Sequence, residues 1–537
     1  MELLQSWARL GVLAGAYFFL CSTVAAAADS FDILIRNGRI VDGAGNPWFR
    51  GDVGIRGDAI AAIGHLPGAT AKRVILAGGR IVSPGFIDIH NHGRSGVFKV
   101  PTAENYVRQG VTTIIEGNDG GSPIPLQGLF DKLEGAGVAV NVGSFVGHGS
   151  IRREVIGRED RKATPEELDQ MRNMTRRAME QGALGLSTGL FYIPGAFAPT
   201  EEVVELAKVA SEYGGMHISH MRDEADGLLD SVRETIEIGE KGGLPTQLTH
   251  HKALGPPNWG ASRQSLELVE QARARGVDVS IDQYPYTASS TGSAALYPAW
   301  VQEGGRDELV KRLKDPVLKE RIKKEVMHLI ETNRGGGDPK NVQYAFCDWD
   351  TALNGKTLAD VTRDRGRVVN FENAADTAME IEIAGGCKTV YHAMKEEDVE
   401  RIMQYPGTMI SSDGEIPVFG EGVLHPRSYG TYARVLGRYV RERKLLPLED
   451  AVRKMTSLPA QRIQQFDRGL LRPGMKADVT VFDEEKIIDR AEFGDPHQYA
   501  EGVVYVIVNG EVVLDDEKMT AARPGGVLYG QGRATSR

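Results

Sequence analysis

The run Ile87-Asp88-Ile89-His90-Asn91-His92, with Gly93 after it, decides how this chain is read. It reads as the end of a strand, where positions two apart share one face. His90 and His92 therefore point the same way, in an arrangement that suits a borderline ion such as zinc. Two surface histidines on a half-exposed strand would look the same, so the reading depends on what lies elsewhere. Seven further strand-like runs follow: TTIIEGND (112–119), VNVGSFVGH (140–148), LGLSTG (184–189), HISHM (217–221), TQLTHH (246–251), VSIDQYPY (279–286) and MISSDG (409–414). Helical stretches separate most of them. Thr164-Pro165-Glu166-Glu167 carries a capping-box start with Pro at the first helical position. LLDSVRETIEIGEKGG (228–243) and SLELVEQARARG (265–276) have apolar spacings of three to four and close on Gly. Eight such units predict an α/β fold, a TIM-like (β/α)8 barrel.

Barrel enzymes build their sites at the C-terminal ends of the strands. His220 ends HISH, His250 sits in THHK and Asp413 lies in SSDG, each at such an end. Four histidines and an aspartate arriving from strands one, five, six and eight make a metal constellation. His217 and His251 face away from the site on this reading. His148, which ends VGH, is open between a ligand and a supporting donor. His65, His328, His392 and His497 lack comparable context.

Outside the barrel, FDILIRNGRIVDG (31–43) and the runs to residue 85 read as short strands with turns, and so do DVTVFD (478–483) and GVVYVIVNGEVVL (502–514). Both chain ends are expected to fold together as one small β-domain. The long gap between the seventh and eighth strands predicts an inserted lid at about 300–385. The glycine run Arg334-Gly335-Gly336-Gly337 inside it reads as a flexible loop, and no phosphate-cradling loop or GxSxG elbow stands out.

The chain has 63 Lys and Arg against 73 Asp and Glu, a net charge of −10, which argues against nucleic-acid or anionic-membrane partners. Residues 1–28 resemble a cleaved signal peptide: an apolar stretch from Leu10 to Leu20, then small residues before Asp29. That predicts a periplasmic or secreted protein with no membrane attachment after cleavage. Cys347 and Cys387 then remain, neither in a metal-binding spacing, and are read as buried or paired.

VSPGFIDIHNH (82–92), HMRDE (220–224), THHKALG (249–255), DQYPYTASST (282–291), SSDG (411–414), HPRSYGTYARVLGRY (425–439), TSLPA (456–460) and ADVTVFD (477–483) occur in order. With them the chain resembles the N-acyl-D-amino-acid deacylase (D-aminoacylase) branch of the metal-dependent amidohydrolases, over about 31–525. The resemblance implies a flanking β-sandwich, so that the layout becomes signal 1–28, sandwich 29–85, barrel 86–430, closing helices 431–470, and sandwich and tail 471–537. It implies one or two zinc ions. His220 and His250 hold the catalytic ion, His90 and His92 a second, and Asp413 binds the attacking water and shuttles its proton. Tyr284 matches the oxyanion donor. Arg427 matches the clamp for a free substrate carboxylate, with Lys252 and Ser290 beside it. Tyr192 is placed on the acyl pocket. Where much of the branch has a metal-bridging Cys in a GNCG turn, this chain reads Glu116-Gly117-Asn118-Asp119-Gly120. Glu116 and Asp119 are both candidate ligands, with Glu116 favoured for its reach.

The activity this implies is hydrolysis of the amide bond of N-acyl-D-amino acids, or of dipeptides containing a D-residue. A cyclic-amide hydrolase of the dihydroorotase or hydantoinase kind is the enzyme alternative. A barrel that has become a binding protein without catalysis is the other. The side chain, the acyl group and the oligomeric state are left open.

Overall fold

The computed structural model describes residues 30–533; the expected signal segment lies outside them. Its centre is a ring of parallel strands. Val111–Glu116 reads VTTIIE with every residue buried, because helices cover one face and the barrel interior fills the other. The remaining staves are Phe86–Asp88, Asn141–Ser144 continuing as Val146–Gly147, Gly185–Gly189, Met216–His220, Thr246–Leu248, Val279–Gln283 and Thr408–Ile410. Neighbouring staves pair in parallel register. Loop backbone closes the ring between the last and first: Asp413 N–H donates to His90 O at 2.8 Å, and His92 N–H to Gly414 O at 2.7 Å. The helix begun at Thr164 forms as expected, Pro165–Glu180 with a complete capping box.

The third stave is broken at Phe145. Its second half pairs with Gly185–Gly189, whereas its first half takes the tail strand Val527–Leu528 as a parallel neighbour. The tail strand thus takes the edge position beside this stave. Nothing in the short run Val527-Leu528 announces this, because the partner is almost 400 residues away.

Strands from both chain ends form a nine-stranded sheet. Ile81–Pro84 joins them by pairing antiparallel with Val479–Phe482. Ile35, Ile55, Val82, Val479 and Ile507 share one apolar interior there. Asn509 and Gly510, both at positive φ, make the tight turn of the hairpin Val503–Val508 to Glu511–Asp515.

The insertion is wider than the sequence suggested. It is built on a three-stranded sheet of Ser289–Gly292, Val342–Phe346 and Lys388–Tyr391. Ser289–Gly292 is all small and mostly polar and shows no apolar alternation; it is a strand because Lys388–Tyr391 pairs with it, Ser290 opposite Val390. Helices Pro316–Thr332 and Phe371–Ala384 pack a separate core over this sheet, including Val326, Ile330, Met379 and Ile381. A disulfide joins Cys347 to Cys387 across it.

Candidate metal centre

Most site residues lie just past the strands rather than on them. Phe86–Asp88 stops before His90, Thr246–Leu248 before His250 and Thr408–Ile410 before Asp413, whereas His220 and Glu116 end their own strands. Shared strand face is therefore not what aligns His90 with His92. Asp119, His250 and Asp413 have φ of 53°, 35° and 49°. A side chain in that left-handed region costs on the order of 1–3 kcal/mol and persists only where its surroundings hold it. The Asp282 carboxylate does much of the holding. It accepts the His250 N–H at 2.9 Å, the Thr249 hydroxyl at 2.6 Å and the Ser411 hydroxyl at 2.5 Å. Thr249 in turn bonds His90 Nδ1, leaving Nε2 of that ring for the cavity.

Two groups of donors result, and they share one residue. His90, His92, Asp119 and Asp413 form the first; Asp119, His220 and His250 form the second. His90 Nε2 lies 3.3 Å from His92 Nε2. His220 Nδ1 lies 2.7 Å from His250 Nε2. The Asp119 oxygens stand between the pairs, 3.4 Å from His90 and His92, 3.5 Å from His250 and 3.6 Å from His220. Burial would push the Asp119 carboxyl up, but the His90, His250 and His220 imidazoles around it hold it well below the usual carboxylate range. Asp413 Oδ1 reaches His92 at 3.1 Å, and its Oδ2 accepts Arg427 Nη1 at 2.7 Å.

Glu116, favoured on reach, is not in either group. It is 2% exposed, and burial pushes its carboxyl up to about 7, against the pull of His92 and Arg94. The turn explains the reversal: Gly117 and Asp119 both take positive φ, which swings the Asp119 side chain back over the rim.

Tyr284, Arg427, Ser290, Tyr192 and Lys252 all line one cavity of about 570 Å³ above the metal residues. Burial drives the Tyr284 phenol well above its ordinary value, and the Arg427 guanidinium lies over its ring at 4.8 Å. Lys252 is 2% exposed and bonds Glu224 and, at 2.6 Å, His250 Nδ1. Arg222 pairs with Glu234 and leaves Glu224 to Lys252 and Arg334. His148 bonds Glu202 at 2.9 Å and stays out of both metal groups. His217 is held between Thr188 and Thr246, and His251 bonds Ser265, so both face away as expected.

The insertion contributes more than a cover. Arg334, read from sequence as part of a loose glycine loop, is 3% exposed, lines the cavity and pairs with Glu224 at 3.4 Å. Lys388 also lines it, paired with Glu415. Their flanking glycines and surface-like charge gave no periodic signal. His425, which the sequence did not single out, accepts the Arg427 N–H at 3.0 Å and donates to Ala288 O at 2.9 Å, which anchors the start of helix Arg427–Arg434.

Two imidazoles on each side, with the Asp119 carboxylate shared and that of Asp413 added on one, match the ligand chemistry of zinc. The buried Asp119 Oδ1 has no hydrogen-bond partner, as expected of an atom whose partner is a cation. The residues present therefore fit one or two zinc ions. A barrel with paired histidines, a shared acid and a polar cavity at its mouth is the arrangement of a metal-dependent amide hydrolase. The chain belongs to the amidohydrolase family, whose profile matches residues 73–325 and 410–514. It is 37% identical to a D-aminoacylase of Alcaligenes xylosoxydans xylosoxydans, over 93% of this chain and 97% of that one. It is likewise 37% identical to the N-acyl-D-glutamate deacylase of the same organism, with the same shares covered. Its fold superposes with a TM-score of 0.80 on the N-acyl-D-glutamate deacylase from Bordetella bronchiseptica, crystallised with zinc and a phosphonate that mimics the tetrahedral intermediate. That protein is 35% identical, over 93% of this chain and 100% of the other. The chain is thus a metal-dependent amidohydrolase, not a barrel retained for binding alone.

Proposed function

We propose that this enzyme removes the acyl group from N-acyl-D-amino acids, or splits dipeptides that contain a D-residue, and that its substrate carries a free carboxylate. The observation that carries the reading is the buried Arg427–Asp413 pair, which places a guanidinium for a carboxylate directly beside the acid at the metal residues. Near-full-length similarity to two deacylases supports it.

Zinc, when bound, supplies the Lewis acidity that brings the pKa of water toward about 7. Asp413, with Oδ1 facing His90 and His92, takes the proton of the attacking water and returns it to the departing nitrogen. Water oxygen bonds the acyl carbon, the C–N bond breaks, and the amine leaves with that proton. Tyr284 donates its phenol to the acyl oxygen as charge builds there; burial keeps that phenol protonated. Arg427 still has donors beyond the one given to Asp413 and, with Ser290 and Lys252 beside it, holds the carboxylate. Tyr192, whose hydroxyl bonds Thr291 at 3.1 Å, borders the acyl side.

The test is an assay of the zinc-loaded protein on matched N-acetyl D- and L-amino acids. Turnover of the D-series is expected; turnover confined to the L-series would overturn the stereochemical assignment. A cyclic-amide hydrolase would instead open a hydantoin or dihydropyrimidine ring and leave the N-acetyl amino acids intact.

We also infer export to the periplasm or outside the cell, followed by removal of residues 1–28. The Cys347–Cys387 disulfide supports an oxidising compartment, and no helix among the described residues is long and apolar enough to cross a membrane. Sequencing the amino terminus of the protein from its native host should find it near Asp29; an intact Met1 would refute the cleavage.

A further inference from the structure

Five cations line the active-site cavity: Arg94, Lys252, Arg334, Lys388 and Arg427. Four are matched by acids on the same wall. Lys252 and Arg334 share Glu224, Lys388 pairs with Glu415, and Arg427 with Asp413. Arg94 is the exception among them. Its guanidinium makes no ion pair among the described residues, and its one side-chain hydrogen bond goes to the neutral Gly121 carbonyl at 2.9 Å. Glu116 also lines the cavity, but its Oε1 has no hydrogen-bond partner and it makes no ion pair with the Arg94 guanidinium among the described residues.

Position says which part of a substrate Arg94 would meet. It follows His92 by two residues, and its Gly121 partner belongs to the turn that carries Asp119. That turn abuts Gly189, where an added Cβ would lie 2.2 Å from Asp119 O and 3.1 Å from Tyr192 Cδ2. Tyr192, Asp119, Gly121 and Arg94 therefore form one continuous arc of wall. Arg427 comes in from the Asp413 side, its Nη1 on Asp413 Oδ2 at 2.7 Å and its Nη2 on Ser290 O at 3.4 Å, and among the described residues it bonds neither Arg94 nor Gly121. A substrate with its carboxylate at Arg427 and its scissile carbonyl at Asp413 sends its acyl chain toward that arc.

We propose that Arg94 is a specificity-determining residue that recognises a second negative charge, carried on the acyl group. The preferred substrates are then half-amides of dicarboxylic acids, such as N-succinyl-D-amino acids. Hydrolysis adds water across the same C–N bond and releases the dicarboxylate and the free D-amino acid. This rests on the deacylase reading above.

The test compares two acyl groups of equal size on one D-amino acid, succinyl and its neutral isostere succinamoyl. Wild type should favour succinyl in kcat/KM by roughly tenfold or more, as a charge-assisted pair in a half-enclosed site allows. The preference should shrink as salt rises, fall toward unity in Arg94→Met, and return in part in Arg94→Lys. Circular dichroism and zinc content would show that each variant is folded and loaded. Turnover of both substrates without preference, or a preference that survives Arg94→Met, would overturn the role of Arg94 while leaving deacylation intact. Failure to hydrolyse either one, or any N-acetyl-D-amino acid, would overturn both.

Discussion

Arg427 Nη1 lies 2.7 Å from Asp413 Oδ2, with both side chains buried at the mouth of the barrel. The same carboxylate turns its other oxygen to His92 at 3.1 Å. One acid thus faces the metal residues on one side and a guanidinium on the other, so substrate binding and proton transfer meet in a single contact.

Removing Arg427 strips Asp413 of its partner in a buried site. Such losses cost about 3–5 kcal/mol when a buried pair is broken from one side. Arg427→Met should lower kcat/KM on N-acetyl-D-amino acids by at least about a hundredfold. Arg427→Lys should recover only part, because a single ammonium cannot serve Asp413 and a carboxylate with the planar fork of a guanidinium. Steady-state kinetics on both variants checks this.

Asp413→Asn keeps the shape but cannot accept the proton. Turnover should fall by about 10²–10⁴. Asp119, His220 and His250 form a complete set without Asp413, so bound zinc should stay near one per chain. Metal analysis alongside kinetics separates the two effects, and near wild-type rates would count against proton transfer by Asp413.

Asp119 and Glu116 should part company. Asp119 belongs to both donor groups and Glu116 to neither. Asp119→Ala is expected to lower zinc content after dialysis against a mild chelator, most at His220 and His250, where only two donors remain, whereas Glu116→Gln should hold its zinc. The opposite pattern would return the bridging position to Glu116.

Lys454 offers a test of stability far from the chemistry. Its ammonium is buried and bonds the Thr408 and Tyr405 carbonyls. Burial pulls its pKa down to about 8 from 10.5, with Asp450 opposing. Between those two pH values the unfolded chain binds more protons than the folded one, so stability rises with pH across that window. Below about 8 both states are charged and the penalty is constant. The rise amounts to about 3 kcal/mol. Lys454→Met should remove it, so that the variant's denaturant midpoint stays flat between pH 8 and 10.5 while that of wild type rises.

Much of this molecule was readable in one dimension. Each stave of the barrel is a short, fully buried run that carries at least one Val, Ile, Leu or Met. His90, His92, His220, His250 and Asp413 stood out because strand ends are where barrel sites form. Helix starts such as Thr164–Glu167 are local hydrogen-bond arrangements and were legible for that reason. The strand Ser289–Gly292 was not, since its partner Lys388–Tyr391 supplies the order that its own residues lack. The tail strand Val527–Leu528 escaped notice on the same account.

Local pattern alone settled which residue types reach the rim and that imidazoles and acids gather there. Only the folded chain set Asp119 rather than Glu116 among the donor groups, drew Arg334 and Lys388 into the cavity, and left the Arg94 guanidinium without an ion pair among the described residues. Periodicity reports which face of an element is buried, a property of a few consecutive residues. Ligand choice and charge pairing depend on backbone turns at positive φ and on partners far apart in the chain, and those exist only once the elements have packed.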